Sequence, residues 1–303
     1  MGAAVLLWLM TAMPGRSHRG PPAPLSAEET ILEKKLKDHV EALAAIPRNI
    51  RLEDAADYVR EALEAHNPRS QYFESGGRKV RNIEAGSEKP LLVVGAHYDA
   101  VPGTPGADDN ASAVAALIEL ARLLVPERLP IRFVAFANEE PPYFMGPEMG
   151  SWVSANAARQ RGEPLKAMIS LEMLGYYSDA PGSQRYPFPL SYFYPDRGDF
   201  IAFVGDLGAR SLVRRAIGAF RRHAAFPSEG VAAPSFIPGV TWSDHWSFRD
   251  QGYAAIMVTD TAFFRNPHYH LPSDTPERLD YERLARLTLG LAAMLRDMAK
   301  GAP

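Results

Sequence analysis

The stretch at residues 93–113, VVGAHYDAVPGTPGADDNASA, decides how the whole chain is read. An apolar run ends in His97 and Asp99, two residues apart, then crosses a Gly/Pro-rich loop into the acidic pair Asp108 and Asp109, which opens a helix. Most carboxylates sit on outward faces, where water solvates them. Here they gather where a strand stops and a helix starts, the place where α/β folds put chemistry.

The same pattern recurs outward from this stretch. LLVVGAHYD, IRFVAFANEE, AMISLEMLGYY, FIAFVGD and AAIMVTDT are short, nearly continuous apolar runs. Such runs are the pattern of strands buried on both faces. Helical stretches separate them at Asn110–Leu124, Met149–Arg161, Ala209–His223 and Tyr281–Met298. The first of these carries Val114, Leu117, Ile118, Ala121 and Leu124 on one stripe, which suits packing on a sheet. Upstream, Ser26 and Glu29 form a capping box ahead of one helix, LEDAADYVREALEAH reads as a second, and YFESGGRKVRNIEA reads as two strands around a Gly-Gly turn. The alternation predicts one α/β domain over residues 26–303. Its three layers would be a mostly parallel, twisted mixed sheet with helices on both faces. Ser178–Asp199, rich in proline and aromatics, reads as a surface excursion rather than a domain boundary.

Composition narrows the function. The chain has 303 residues and a formal charge of -3 with no long basic run, which argues against a nucleic-acid partner. It has no cysteine, so disulfides, thiolate metal sites and a cysteine nucleophile are excluded. Any metal must be held by histidine and carboxylate. Residues 1–25 stand apart: AAVLLWLMTAM has the length of a signal-peptide core, is too short to span a bilayer, and runs into the Pro/Gly-rich linker GPPAPL. These features favour export or membrane anchoring through the N-terminus, to the periplasm or outside the cell. The competing reading is a cytoplasmic enzyme with a loose N-terminal segment.

His97 and Asp99 end one strand, Asp108 and Asp109 open the next helix, Glu139 and Glu140 end the next strand, Glu172 lies near the end of the third, and His268 and His270 come after the last. In a parallel sheet the carboxyl edges of strands lie side by side, so these residues are expected to converge on one crevice. Two histidines among several carboxylates suit a divalent cation. Singly, each has an ordinary reading as a helix cap, an acidic turn or a core histidine. Their joint placement favours a site.

Taken in order, GAHYDAVPGTPGADDNAS, ANEE, SLEMLGY, SDHWSF and YHLPSDT resemble the M28-type zinc aminopeptidases, the bacterial leucyl aminopeptidase and glutamate carboxypeptidase II-like group. The resemblance runs from about Leu91 to the C-terminus. It implies a zinc-peptidase, phosphorylase/hydrolase-like fold and a metal-dependent exopeptidase acting on a peptide substrate with two zinc ions. By this resemblance His97 and Glu172 bind one zinc, Glu140 and His270 the other, and Asp108 bridges both. Glu139 is the general base, Asp99 supports His97, and the peptide bond between Asp108 and Asp109 is cis. Tyr269 either stabilises the oxyanion or packs on the sheet edge. Asp274 either serves His270 or caps a turn. Asp244 and His245 are expected near the pocket, with His245 and His268 as competing ligands.

Two departures bear on this transfer. Glu172 stands where many members carry aspartate, and PPYFMGPEMGSW is a bulky loop after the Glu pair. Tyr143, Phe144, Trp152, Trp242 and Trp246 hint at an apolar side-chain pocket. The alternative functions are a single-zinc glutaminyl-peptide cyclotransferase and a catalytically inactive, peptidase-like binding module.

Overall fold

A computed structural model describes residues 2–301. Eight strands form one sheet: β1 (Arg69–Ser75), β2 (Arg78–Gly86), β3 (Leu92–His97), β4 (Ile131–Phe136), β5 (Ala167–Glu172), β6 (Ile201–Asp206), β7 (Ser228–Ala233) and β8 (Ala255–Thr259). Their order is β1-β2-β4-β3-β5-β8-β6-β7. The central strands β4, β3, β5 and β8 run parallel, and every one of their residues is buried, as continuous apolar runs require. The hairpin β1–β2 turns on Gly76 and Gly77, both at positive φ, and extends the sheet antiparallel to β4. On the other flank β6 is antiparallel to β8, and β7 pairs parallel to β6.

Helices cover both faces. On one face α2 (Ala27–Ala44), α4 (Ala113–Leu124), α6 (Arg210–His223) and α8 (Tyr281–Lys300) close the larger core, in which Leu117 and Leu291 join Val94, Leu171 and Val258 of the sheet. On the other, α5 (Gly150–Gln160) and α7 (His245–Asp250) bring Ala155 and Phe248 onto Val134 and Met168. The capping box forms as expected: Ser26 Oγ accepts from Glu29 N, and Ser26 N donates to the Glu29 carboxylate. A further helix, α3 (Leu52–Ala62), packs against β2.

Two features of the domain depart from the expectation, and a third concerns the N-terminal segment. Strand β7, SEGVAA, holds glycine and alanine where strand-forming side chains would be sought, and it survives as an edge strand. Helix α4 begins at Ala113, after an irregular turn in which Asp109 and Asn110 are not helical. The N-terminal segment lies on the domain. Within it, α1 (Ala3–Thr11) packs on β7 with Met10 buried, Arg210 Nε donates to Leu9 O at 2.6 Å, and Arg221 Nη1 donates to Pro14 O at 3.0 Å. Val5, Leu6 and Trp8 face outward, and among the described residues no helix is long and apolar enough to cross a membrane.

Close packing between β3 and β4 leaves no room for a side chain at Gly95, where a Cβ would lie 2.1 Å from the Phe136 ring. Gly95→Ala is expected to destabilise the fold by about 1–3 kcal/mol, the usual cost of overpacking a core, read from urea denaturation of the metal-free protein. An unchanged denaturation midpoint would contradict the packing described for the sheet centre.

Candidate active site

The four parallel strands end side by side, and their last residues, together with the turns just beyond them, supply the site. His97 closes β3 and Glu172 closes β5. Glu139 and Glu140 lie three and four residues past the end of β4, in a turn entered through Asn138 at φ 59°. Strand alternation would make the two side chains diverge, but it is this turn that orients them. Asp99 holds the turn: its Oδ1 accepts from Glu139 N and its Oδ2 from Glu140 N, both at 3.0 Å. The same Oδ1 lies 3.4 Å from His97 Nδ1, so one carboxylate braces two sides of the crevice.

The two acidic residues after the Gly/Pro loop part company. The carboxylate of Asp109, not that of Asp108, faces the crevice. Asp109 Oδ1 lies 3.4 Å from His97 Nε2, and Oδ2 lies 3.0 Å from His270 Nε2. Asp108 is fully buried on the other side, where Oδ1 accepts from Gly175 N at 2.9 Å and Oδ2 from Asn266 Nδ2 at 2.8 Å. The residue expected between the two histidines, Asp108, is thus replaced there by Asp109. The backbone at Asp109 is extended, so neighbouring side chains point to opposite sides and only one of the pair can enter the crevice. The cis peptide bond likewise joins Asp109 and Asn110, one residue beyond its expected place.

Asp274 neither serves His270 nor caps a turn. It accepts from Asp108 N at 3.0 Å and from Asp109 N at 3.1 Å, holding the loop from 165 residues away. His270, at φ 60°, completes the cluster with Nε2 3.5 Å from Glu140 Oε1. A non-glycine residue in this left-handed region costs about 1–3 kcal/mol, a sign that surrounding contacts over-determine it. The competing histidines are committed elsewhere, with His268 Nδ1 on Ser273 Oγ at 2.9 Å and His245 Nε2 on Val240 O at 2.9 Å. The Tyr269 ring stacks on the His270 imidazole, 3.7 Å between centroids, at the edge of the crevice.

Four carboxylates and two imidazoles thus meet with little water. Burial, then the neighbouring Asp109, pushes Glu140 up to about 7. Glu139 is held well above the usual carboxylate range, first by burial and then by Glu140, Glu172 and Asp244, against the pull of His97. For Asp109 burial works in the same direction, but hydrogen bonds from His270 and His97 outweigh it and hold its pKa low. The cost of burying charge on His270 is similarly overcome by Asp109 and Glu140, and its pKa rises to about 10.

The donor set fits two cations. His97, Asp109 and Glu172 can offer one atom each within 4.8 Å of one another, and so can Asp109, Glu140 and His270; Asp109 belongs to both sets. Glu140 Oε1 is buried with no hydrogen-bond partner, which fits a site completed by an ion. Nitrogen and carboxylate donors of this kind suit zinc.

Several contributors carry no signal strong enough to single them out in the sequence. Ser243 Oγ donates to Glu172 Oε2 at 2.7 Å and is itself 2.8 Å from Ser170 Oγ, which clamps the long Glu172 side chain. Asn110 ties the loop to β5, its Nδ2 donating to Leu171 O and its Oδ1 accepting from Met173 N. Arg48, fully buried in the loop after α2, donates from Nη2 to Gly106 O at 2.7 Å. Burial lowers Arg48 to about 10, against the raising effect of Asp109, Asp99, Asp274 and Glu140. Only the ADDNAS and SDHWSF contexts of Asn110 and Ser243 hint at them; nothing near Arg48 does.

Known proteins share this arrangement of sequence and fold. The model of Peptidase family M28 matches residues 80–295. The uncharacterized protein YfbL of Escherichia coli K12 is 42% identical over 296 residues, covering 91% of this chain and 90% of that protein. Leucine aminopeptidase 1 of Trichophyton equinum is 26% identical over 226 residues, 69% of this chain, and the match spans only 56% of the fungal protein. The crystal structure of a glutaminyl cyclase from Bacteroides thetaiotaomicron superposes with a TM-score of 0.64 at 16% identity, covering 89% of this chain and 98% of that one, a likeness of fold alone. Since the family match takes in every strand-end residue of the crevice and YfbL parallels the chain almost throughout, the chain belongs to peptidase family M28.

Proposed function

We propose that this chain is a metal-dependent exopeptidase, an aminopeptidase that removes N-terminal residues from peptides with the help of two zinc ions. The observation that carries the reading is Asp109: its two oxygens face two different histidines, with Glu172 3.5 Å from the first and Glu140 3.5 Å from the second. His97 and Glu172 would hold one ion, Glu140 and His270 the other, with Asp109 shared. Zinc at these positions would supply Lewis acidity, polarising the scissile carbonyl and acidifying water. Every other part falls to the protein's own side chains. Glu139, with its carboxylate Oε2 4.0 Å from His97 Nε2, takes a proton from the attacking water and returns it to the leaving amine. Burial, and then neighbouring carboxylates, raises its proton affinity, the direction a general base requires. Asp99 keeps the Glu139–Glu140 turn in place, and Ser243 keeps Glu172 turned toward His97. Tyr269, fixed against His270, would steady the developing oxyanion.

The likeness to leucine aminopeptidase 1 supports this reading; the fold likeness to a cyclase does not separate peptidase from cyclotransferase, because one fold hosts many functions. The deciding experiment combines metal analysis with an assay on aminoacyl p-nitroanilides, before and after a chelator. Two zinc ions per chain and chelator-sensitive release of p-nitroaniline are expected. One zinc with cyclisation of N-terminal glutamine would replace the proposal by the cyclotransferase, and neither metal nor turnover would leave a binding module. The outward-facing Val5, Leu6 and Trp8 of α1 support export or membrane attachment through the N-terminus, expected to appear as membrane or periplasmic material in cell fractionation; recovery wholly in the cytosol would overturn that.

Glu139→Gln should keep both zinc ions and lose about 10²- to 10⁴-fold in kcat, the usual worth of a general base, so near-normal turnover would remove it from this role. Asp109→Asn should abolish zinc binding at both positions, whereas Asp108→Asn should keep the metal stoichiometry and lower the melting temperature. The reverse outcome would restore the bridging role to Asp108.

A further inference from the structure

Beside the crevice lies a cavity whose floor is ruled by strand register. Glu172 of β5 pairs with Thr259 of β8, Thr259 with Ala202 of β6, and Ala202 with Glu229 of β7. All four line the cavity, so one straight row crosses four strands from a carboxylate of the crevice to the sheet edge. A second row in the same register, Met257–Val204–Val231, lies beside it. Three strand spacings of about 4.8 Å make the row roughly 14 Å long. The roof comes from two loops, with Tyr186, Leu190 and Tyr194 on one side and Ile237, Val240 and Trp242 on the other. Tyr194 Oη donates to Gly230 O at 2.7 Å and ties the roof to the far end of the floor.

We propose that this cavity seats the side chain of the substrate's N-terminal residue and that it is built for a long, unbranched apolar chain. The proposal rests on the exopeptidase reading. An exopeptidase that removes one residue must enclose that residue while the rest of the peptide stays outside, so a cavity that begins at Glu172 belongs to the residue being removed. An extended chain advances about 1.2 Å per bond, so leucine reaches about one strand spacing from its Cα and leaves most of the floor uncovered. A side chain of six to eight carbons, about 7–10 Å at that rise, would cover roughly half to two thirds of it. The far end does not call for a cation, because Glu229 already faces Arg221 Nη2 at 3.6 Å, and apart from Thr259 the two rows between are apolar.

The test uses the zinc-loaded, full-length protein and p-nitroanilides of leucine, norvaline, norleucine, 2-aminooctanoic acid and 2-aminodecanoic acid. Expected is a rise in kcat/KM of about fourfold per added methylene, the factor for burying one CH₂, continuing at least to the aminooctanoyl substrate. Ala202→Phe, placed mid-row, should flatten the series beyond norleucine, with a melting curve to show that the variant folds. Independently of turnover, calorimetry on the unsubstituted protein should find free 2-aminooctanoic acid bound at least about tenfold more tightly than norvaline. If the leucyl or norvalyl anilide is preferred and the two amino acids bind alike, the cavity proposal is overturned while the exopeptidase reading stands. If chain length governs binding but no anilide is cleaved, the cavity stands and the exopeptidase reading falls.

Discussion

Everything at the carboxyl edge of the sheet answers to one constraint: four carboxylates, Asp109, Glu139, Glu140 and Glu172, are buried together against only two imidazoles. Burying charge without compensation is among the most expensive things a protein can do. The proton affinities register the conflict. Glu139, Glu140 and Glu172 are all driven upward, first by burial, while His97 is driven upward by the carboxylates despite its own burial. Such a cluster is relieved either by protons, which the raised affinities favour, or by cations bound between His97 and His270. Arg48 is a partial contribution from the protein itself. It is placed behind the Gly/Pro loop, where it bonds to backbone oxygens rather than to the carboxylates.

That constraint explains the other acidic residues nearby. Asp99 and Asp274 face backbone N–H groups, Asp99 those of Glu139 and Glu140, Asp274 those of Asp108 and Asp109. A carboxylate that accepts backbone hydrogen bonds both satisfies donors that a turn would otherwise leave buried and fixes the turn. The two ligand-bearing turns are therefore held by side chains distant in sequence, one of them 165 residues away. Rigid placement of side chains on loops becomes possible because the loops are pinned to the sheet from several directions.

How much is legible in the sequence depends on the range of the interactions involved. Apolar runs and helical stripes are local, so the central strands and the helices α4, α5, α6 and α8 fall within a few residues of their expected bounds. Strand ends in a parallel sheet converge by topology, and His97, Glu139, Glu140, Glu172 and His270 do meet. Between two adjacent aspartates, however, only the backbone path decides which one turns inward. That path is set by Asp274, Asn110 and Gly106, whose partners lie elsewhere, so the sequence points to Asp108, one residue early. Arg48 is invisible in the sequence for the same reason: its role exists only after α2 is laid against the loop. At the sheet edge the difficulty is of another kind, because β7 has the composition of a turn and is a strand only by virtue of pairing with β6.

The two halves of the sheet face also differ for a topological reason. Parallel neighbours need a crossover connection, usually a helix, and those helices cover β4, β3 and β5 closely. Strand β6 runs antiparallel to β8, and its start lies at the same edge of the sheet as the end of β5, with β8 between them, so residues 173–200 can travel from one to the other without leaving the crevice side of the sheet. The chain spends that length as a loop lying over β8 and β6, where a helix would have packed flush with the sheet. That loop packs Leu190 into one apolar cluster with Ala202, Val204 and Met257 of the strands, and Tyr194 bridges it to Gly230, so it roofs a hollow over them. The parallel half therefore gathers the charged groups, and the antiparallel half leaves an apolar hollow that opens directly onto them at Glu172.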